Sequence, residues 1–177
     1  MSKTLSNILT VFKVVRVIAK VVFILCIIGA VGCGIGLISL LAIGNNLPSF
    51  LFSENVVSLP SAYAACISGL ITCVGEAVFA FLAERYFANV LSAGTPLTLD
   101  GSKESFRLGI ASIIIAVAVS VATAIVFAIC AWFSTDLSKF DVNVSISLST
   151  GLFFMFLSLI FKHGAELQAN AESSSNE

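Results

Sequence analysis

Four long apolar stretches divide this chain, and polar or turn-forming residues separate them. A stretch of about 20 apolar residues is long enough to cross the hydrocarbon core of a bilayer as an α-helix. The pattern therefore predicts membrane-spanning helices over about residues 21–43, 62–84, 108–133 and 144–161. The predicted fold class is all-α, a four-helix transmembrane bundle that fills residues 21–168.

The first 20 residues show a different pattern. Polar residues, among them Lys13, Arg16 and Lys20, recur every three or four positions, and apolar residues take the opposite side. This spacing is typical of an amphipathic helix with a basic face. Residues 1–20 form an N-terminal amphipathic extension that lies in the headgroup region, or a prolongation of the first span with its cations at the cytoplasmic side. We expect a mixture of the two, because a basic face fits both.

The connecting segments contain residues that end helices. Residues 44–61 are expected to form an outer loop that rests on the membrane surface or caps the bundle, and residues 134–143 a short exterior loop. Residues 94–96, Gly-Thr-Pro, break the helix after the second span, and Asp100 is predicted as the N-cap of the next helical turn. Residues 169–177 are polar and serine-rich, which predicts a disordered tail.

Composition restricts the class of protein. The chain of 177 residues is 58% hydrophobic and 11% charged, with a mean hydropathy of +1.07. A soluble domain of this size has too small a core to hide so much apolar surface. The net charge of -1 provides no basic excess of the kind that nucleic-acid binding requires, so the bilayer is the expected partner and direct nucleic-acid binding is not.

The distribution of cations predicts the orientation of the chain. If the spans alternate in direction, all but one of the 9 Lys and Arg residues fall on the same side, the exception being Lys139. The positive-inside rule places that side in the cytoplasm. The sequence therefore predicts a multi-pass protein of the inner, cytoplasmic membrane with both termini in the cytoplasm. Trp132 is expected at the opposite, outer interface.

Small residues within the spans predict helix packing. The 5 cysteines all lie inside apolar runs and lack the spacing of a disulfide framework or a zinc site. They are interpreted as small packing residues, with a labile Cys33–Cys73 thiol pair as the alternative. Gly32 and Gly36 form a small-xxx-small pair, whose expected partner is the second or third span.

Glu76 lies a little past the middle of the second span. A carboxylate at this depth is costly and rarely faces lipid, and no other span carries a Lys, Arg or His at matching depth. We therefore expect a protonated acid that hydrogen-bonds to a hydroxyl. The nearest candidates are Ser112, Ser120, Thr123 and Ser158, and the candidate intramembrane polar site is Glu76 with Ser120 and Thr123. Such a site is either proton-linked or ligand-binding, or it is a structural interhelical hydrogen bond.

Two short passages near the predicted cytoplasmic ends carry a recognisable pattern. One comprises residues 94–98 (GTPLT) with residues 106–109 (FRLG), and the other comprises residues 161–168 (FKHGAELQ). They resemble the bacterial membrane family called domain of unknown function 2975, whose members carry a Gly-x-Pro-Phe-Thr stretch and a Phe-x-x-Gly-x-Glu-Leu-Gln ending. Leu97 stands where that family has Phe. The resemblance implies a membrane fold and no established activity, and it implies small helix-turn-helix regulators as partners.

Both passages fall on the predicted cytoplasmic face. The candidate cytoplasmic surface comprises Arg85, Arg107, Lys162, His163 and Glu166. Two interpretations stay open. The surface is a structural latch in which Glu166 pairs with Arg107 or Arg85, or it is a docking surface for a soluble partner.

Catalytic motifs are missing from the sequence, which has no Walker-type phosphate loop, HExxH motif or Ser-His-Asp set. The single histidine, His163, is expected to reach the membrane interface without a catalytic role. The first hypothesis is a non-enzymatic protein without cofactor or metal. It would have a regulatory role, binding a soluble cytoplasmic regulator or a membrane partner. The alternative is a small transporter or channel subunit that forms a homo-oligomer and uses Glu76.

Overall fold

The part of the chain that the structure describes folds into four long helices. The computed structural model describes residues 3–43, 59–94, 98–132 and 145–174. The helices are α1 (Lys3–Ile43), α2 (Leu59–Ala93), α3 (Leu99–Ala131) and α4 (Ser145–Ser174). All 4 are long and apolar enough to cross a membrane, and the described part of the chain contains no strand. The all-α four-helix prediction is confirmed, and the chain is a multi-pass membrane protein. The predicted outer loops lie outside the described residues, except for the first turn of α2.

Helices that are adjacent in the chain pack against each other and run antiparallel. Arg16 near the start of α1 meets Glu84 near the end of α2, and Ser102 at the start of α3 meets Ser158 in the second half of α4. Gly94, with φ of +70°, ends α2 in the left-handed conformation that favours glycine, and α3 follows after a short connection. The start of α1, the end of α2, the start of α3 and the end of α4 therefore lie at one end of the bundle.

The first helix shows no break between the basic segment and the first span. α1 continues without interruption from Lys3 to Ile43, and the amphipathic extension over residues 1–20 stays a prediction. No glycine or proline occurs before Gly29, and Lys13 and Lys20 are exposed on the continuous helix. Long basic side chains can reach the aqueous phase from a helix end while the backbone continues into lipid. A prolongation of the first span fits this continuous helix.

Two other helix boundaries differ from those predicted. α3 begins at Leu99 because Thr98, rather than Asp100, is its N-cap: the Thr98 hydroxyl accepts a hydrogen bond of 2.9 Å from the Gly101 N–H. Asp100 lies in the first turn, where the helix dipole favours an acid. α4 continues to Ser174, through most of the segment predicted as a disordered tail, because no glycine or proline after Gly164 interrupts it.

Glycine and cysteine alternate along the contact between α1 and α2. Each glycine leaves room for a cysteine sulfur of the facing helix, which would lie 3.0 or 3.2 Å from a Cβ added at the glycine. The pairs are Gly29 with Cys73, Gly36 with Cys66, and Gly69 with Cys33. A Cβ added at Gly32 would have no atom within 4 Å. Gly29, rather than Gly32, therefore makes the close helix contact that was predicted for the small-xxx-small pair. The thiols are free and pack against glycines, as small side chains do at close helix contacts.

The contact between α3 and α4 is closer still. A Cβ added at Gly109 would lie 2.9 Å from the Gly151 carbonyl oxygen, and one added at Gly151 would lie 3.0 Å from the Gly109 carbonyl oxygen. One end of this contact is tied by two serines. The Ser102 hydroxyl donates to the Ser158 carbonyl, and the Ser158 hydroxyl donates to the Ser102 carbonyl, both at 2.9 Å. Such hydroxyl bonds and glycine contacts hold membrane helices together where burial from water does not.

The buried core lies beside the polar end of the bundle. Its members come from all four helices: Ala19, Ala83, Tyr86, Phe87, Val90, Leu108 and Phe154. The Phe154 ring of α4 reaches across to Tyr86 and Phe87 of α2, with ring centroids 6.2 and 6.3 Å apart. Outside this cluster all four helices expose large apolar side chains, and these faces contact the lipid bilayer.

Candidate functional site

Charged side chains gather at one end of the bundle, which we call the charged end. Apart from Glu76, every charged or histidine side chain that the structure describes lies toward it. These are Lys13, Arg16, Lys20, Glu84, Arg85, Asp100, Lys103, Glu104, Arg107, Lys162, His163 and Glu166. The antiparallel order of the helices produces this grouping, because it brings together segments that are far apart in sequence. The charged end is the candidate functional site.

An ion-pair cluster joins α1 to α2 at this end. Glu84 accepts a hydrogen bond of 3.0 Å from Arg16 Nε, and Lys20 Nζ lies 3.7 Å from the same carboxylate oxygen. Both partners of the shorter pair are partly shielded, with 37% of the Arg16 side chain and 21% of the Glu84 side chain exposed. The charges of this cluster have a structural role, because their pairing fixes the register of α1 on α2.

We expect Arg16→Gln to destabilise the protein by about 0.2–1 kcal/mol, the range measured for exposed ion pairs. The loss should appear as a lower midpoint of thermal unfolding in detergent, and added salt should reduce the difference. Lys13→Gln is the matched control, because it removes the same charge from the exposed side of the same helix. Equal midpoints for the two variants would contradict a role for the Arg16–Glu84 pair in stability.

A groove between α2 and α3 forms the second part of the charged end. It encloses a cavity of about 340 Å³. The cavity is lined by Leu82, Arg85, Tyr86, Asn89, Glu104, Arg107, Leu108 and Ala111. Asn89 Nδ2 donates to both carboxylate oxygens of Glu104, at 3.1 and 3.2 Å, and this bond ties the two walls together. Arg85 and Arg107 are exposed, and neither forms a hydrogen bond or ion pair with any residue that the structure describes.

The last turns of α4 form the third part. Because Ser158 lies opposite Ser102, residues beyond about 162 extend past the first residue of α3. At about 1.5 Å per residue, the helix from Lys162 to Ser174 projects about 18 Å. Lys162 and Glu166 pair with each other along this helix at 3.9 Å, and Leu167 beside them is 57% exposed.

The predicted cytoplasmic surface is thus divided in two. Arg85 and Arg107 lie together in the α2–α3 groove, whereas Lys162, His163 and Glu166 lie on the projecting end of α4. Glu166 pairs with Lys162, and the structure does not pair it with Arg85 or Arg107. The predicted surface omitted Asn89 and Glu104, which complete the groove. The helical spacing of Arg85 with Asn89, and of Glu104 with Arg107, is the sequence signal that could have found them.

The structure does not bring the predicted intramembrane site together. The Ser120 hydroxyl donates to the Ala116 carbonyl at 2.6 Å, and the Thr123 hydroxyl donates to the Val119 carbonyl at 2.7 Å. Hydroxyls inside helices often bond to the carbonyl four residues earlier in this way. Of the other candidate partners, Ser158 bonds to Ser102, and Ser112 is buried in α3.

Glu76 itself is exposed and has no hydrogen bond or ion pair among the residues that the structure describes. It lies on the same side of α2 as Ala80, Ala83 and Phe87, at spacings of three and four residues. Those three side chains are buried, whereas Glu76 is not. Glu76 is therefore an exposed carboxylate between two buried neighbours, Gly75 and Ala77, of the same helix.

The chemistry available at the charged end is ion pairing and hydrogen bonding. Within the described ranges, no group of three or more His, Cys, Asp and Glu side chains is placed to hold a metal ion. Guanidinium, ammonium, carboxylate and amide groups supply the polar contacts. Such an arrangement suits binding of a charged partner.

Comparison of the chain with protein-family models, with curated proteins and with solved structures found no match. The resemblance of residues 94–109 and 161–168 to domain of unknown function 2975 stays a prediction. The function of the charged end is therefore inferred from its own geometry.

Proposed function

We propose that the chain is a non-enzymatic, multi-pass protein of the bacterial inner membrane that binds a soluble regulatory protein at its charged end. This proposal places the charged end and both chain termini in the cytoplasm, where the positive-inside rule puts segments rich in Lys and Arg. The observation that carries it is the extension of α4 beyond α3, because the side chains around the buried Ala165 in this segment are exposed, among them His163 and Glu166.

The chemistry of the projecting segment suits a protein partner. Leu167 is 57% exposed next to the Lys162–Glu166 pair, so the helix presents an apolar side chain flanked by both signs of charge. Helices of this kind dock into apolar grooves of partner proteins, and flanking charges fix the orientation. The resemblance to domain of unknown function 2975 adds that the partner is a small helix-turn-helix regulator.

The test is affinity purification of the full chain from its native membranes after mild cross-linking, with the captured protein quantified. We expect Glu166→Lys to reduce the captured partner at least about tenfold, since reversing a charge at a docking surface juxtaposes like charges. Asp100→Lys is the matched control, because it makes the same reversal at an exposed position of the charged end outside α4. Equal capture by both variants, or wild-type protein that carries no stoichiometric partner, would refute the proposal.

A second candidate is a small oligomeric transporter or channel subunit that uses Glu76. It is favoured by the unpaired, exposed state of this carboxylate within an apolar helix, since acids at such depth commonly mark ion or proton pathways. For this candidate, we expect proteoliposomes that contain the protein to show pH-dependent flux across the membrane. Glu76→Gln should abolish this flux, whereas the control Thr72→Ala, one helical turn earlier, should keep it. Flux that persists in Glu76→Gln would eliminate it.

A further inference from the structure

We infer that the α2–α3 groove of the charged end binds the headgroup of an anionic phospholipid, with Arg85 and Arg107 holding its phosphate. This site is separate from the α4 surface proposed for a soluble partner. It needs no second protein, and its ligand is a component of the membrane itself.

The groove is layered by depth. Asn89 and Glu104 form the outermost layer, where they are hydrogen-bonded to each other. One helical turn further toward the membrane, Arg85 of α2 and Arg107 of α3 line the same cavity. One more turn inward, the cavity is lined by apolar side chains, Leu82 and Ala111. A phospholipid has the same order along its length: a polar headgroup, then a phosphate, then apolar chains.

The two arginines are suited to an anion. They line the same cavity from neighbouring helices, and neither has an ion-pair partner among the residues that the structure describes. Glu104 is the one carboxylate among the described residues that line the cavity, and it is held by the Asn89 amide and forms no ion pair with either arginine. A phosphate between the guanidinium groups would satisfy both, because planar guanidinium donors match phosphate oxygens in pairs.

The floor of the groove suits a lipid better than a soluble ion. Tyr86 and Leu108 form the floor and are each 4% exposed, so the cavity ends on the apolar core. The volume of about 340 Å³ lies within the range of small-molecule pockets, and basic pockets between membrane helices bind anionic headgroups.

The test measures lipid binding by the full chain in detergent, with native mass spectrometry to count bound lipids. The probes are phosphatidylglycerol, phosphatidylcholine and inorganic phosphate. We expect one phosphatidylglycerol to be retained preferentially, and Arg85→Gln with Arg107→Gln to weaken its binding at least about tenfold, as expected for the loss of charge-assisted hydrogen bonds. The matched control, Lys103→Gln with Lys162→Gln, removes the same charge from the same end outside the groove and should bind as wild type.

Ala111→Phe separates a lipid from a free phosphate, because it fills the apolar layer and leaves both arginines in place. We expect this variant to lose phosphatidylglycerol as the arginine variant does. The inference is overturned by equal retention of phosphatidylcholine, by equal loss in the arginine and lysine variants, or by inorganic phosphate that binds wild type and Ala111→Phe alike. Circular dichroism of each variant shows whether the helices remain folded, and a folded arginine variant that keeps its lipid also overturns it.

Discussion

Gly109→Ala is expected to push α3 and α4 apart and to destabilise the protein by about 2 kcal/mol, the middle of the range for overpacked contacts. A methyl group at this position would lie 2.9 Å from the Gly151 carbonyl oxygen and 3.1 Å from the Met155 backbone nitrogen. Backbone atoms cannot rotate away, so α4 itself must shift. The shift would also strain the reciprocal bonds between Ser102 and Ser158.

The measurement is thermal unfolding in detergent, followed with a fluorogenic dye that reacts with the native cysteines as they become accessible. Gly32→Ala is the matched control, because a methyl group there meets no atom within 4 Å and should leave the unfolding midpoint unchanged or slightly raised. Adding Met155→Ala to Gly109→Ala should not restore stability, since the backbone contacts remain. Recovery in that double variant would show that the side chain, rather than the backbone, sets the distance between the helices.

Gly75→Ala is expected to destabilise the α2–α3 contact by about 1–3 kcal/mol, but for a different reason. Here the added methyl group would lie 2.5 Å from Val119 Cγ2, a side-chain atom. Valine in a helix is confined to one strongly preferred rotamer, so this methyl group cannot move away at low cost.

Val119→Ala should therefore rescue Gly75→Ala. The double variant should be more stable than the sum of the two single effects predicts, by about 1 kcal/mol or more in a double-mutant cycle. Circular dichroism at increasing temperature measures all four proteins. Strictly additive effects would show that Gly75 and Val119 do not meet as described.

Apolar runs predict the helices of this protein well, because a membrane span needs length and hydrophobicity and little else. Their ends depend on local chemistry that hydropathy does not show. α3 begins nine residues before the predicted span because the Thr98 hydroxyl caps it, at a point where the chain is still polar. α4 extends past the predicted span because helix-forming polar residues follow it, and hydropathy treats them as loop.

The pairing of small and polar residues could be predicted only in part. Gly36 was expected at a helix contact, but Gly32 and Gly29 are indistinguishable until the facing cysteine is known. The reciprocal bonds of Ser102 and Ser158 join residues that are 56 positions apart in the chain. Nothing in a single sequence distinguishes such serines from those that bond within their own helix.

The sequence predicts which residues lie at the charged end, but it does not predict how they are arranged there. Counting cations placed Arg85, Arg107 and Lys162 on one side of the membrane, and the antiparallel helices do bring them to one end of the bundle. The division into a groove and a projecting helix follows from the register of α2 on α3 and of α4 on α3. That register is set by glycine contacts and serine bonds, which charge counting does not include.

Labelling with a membrane-impermeant maleimide tests the central arrangement most directly. The five native cysteines are replaced with alanine, and one cysteine is introduced at Lys13, Lys103, Lys162 or Trp132. In sealed vesicles of known orientation, the three lysine positions should react from the same side of the membrane and the Trp132 position from the other. Reaction of the Lys13 and Lys162 positions from opposite sides would contradict the antiparallel bundle and, with it, the existence of a single charged end.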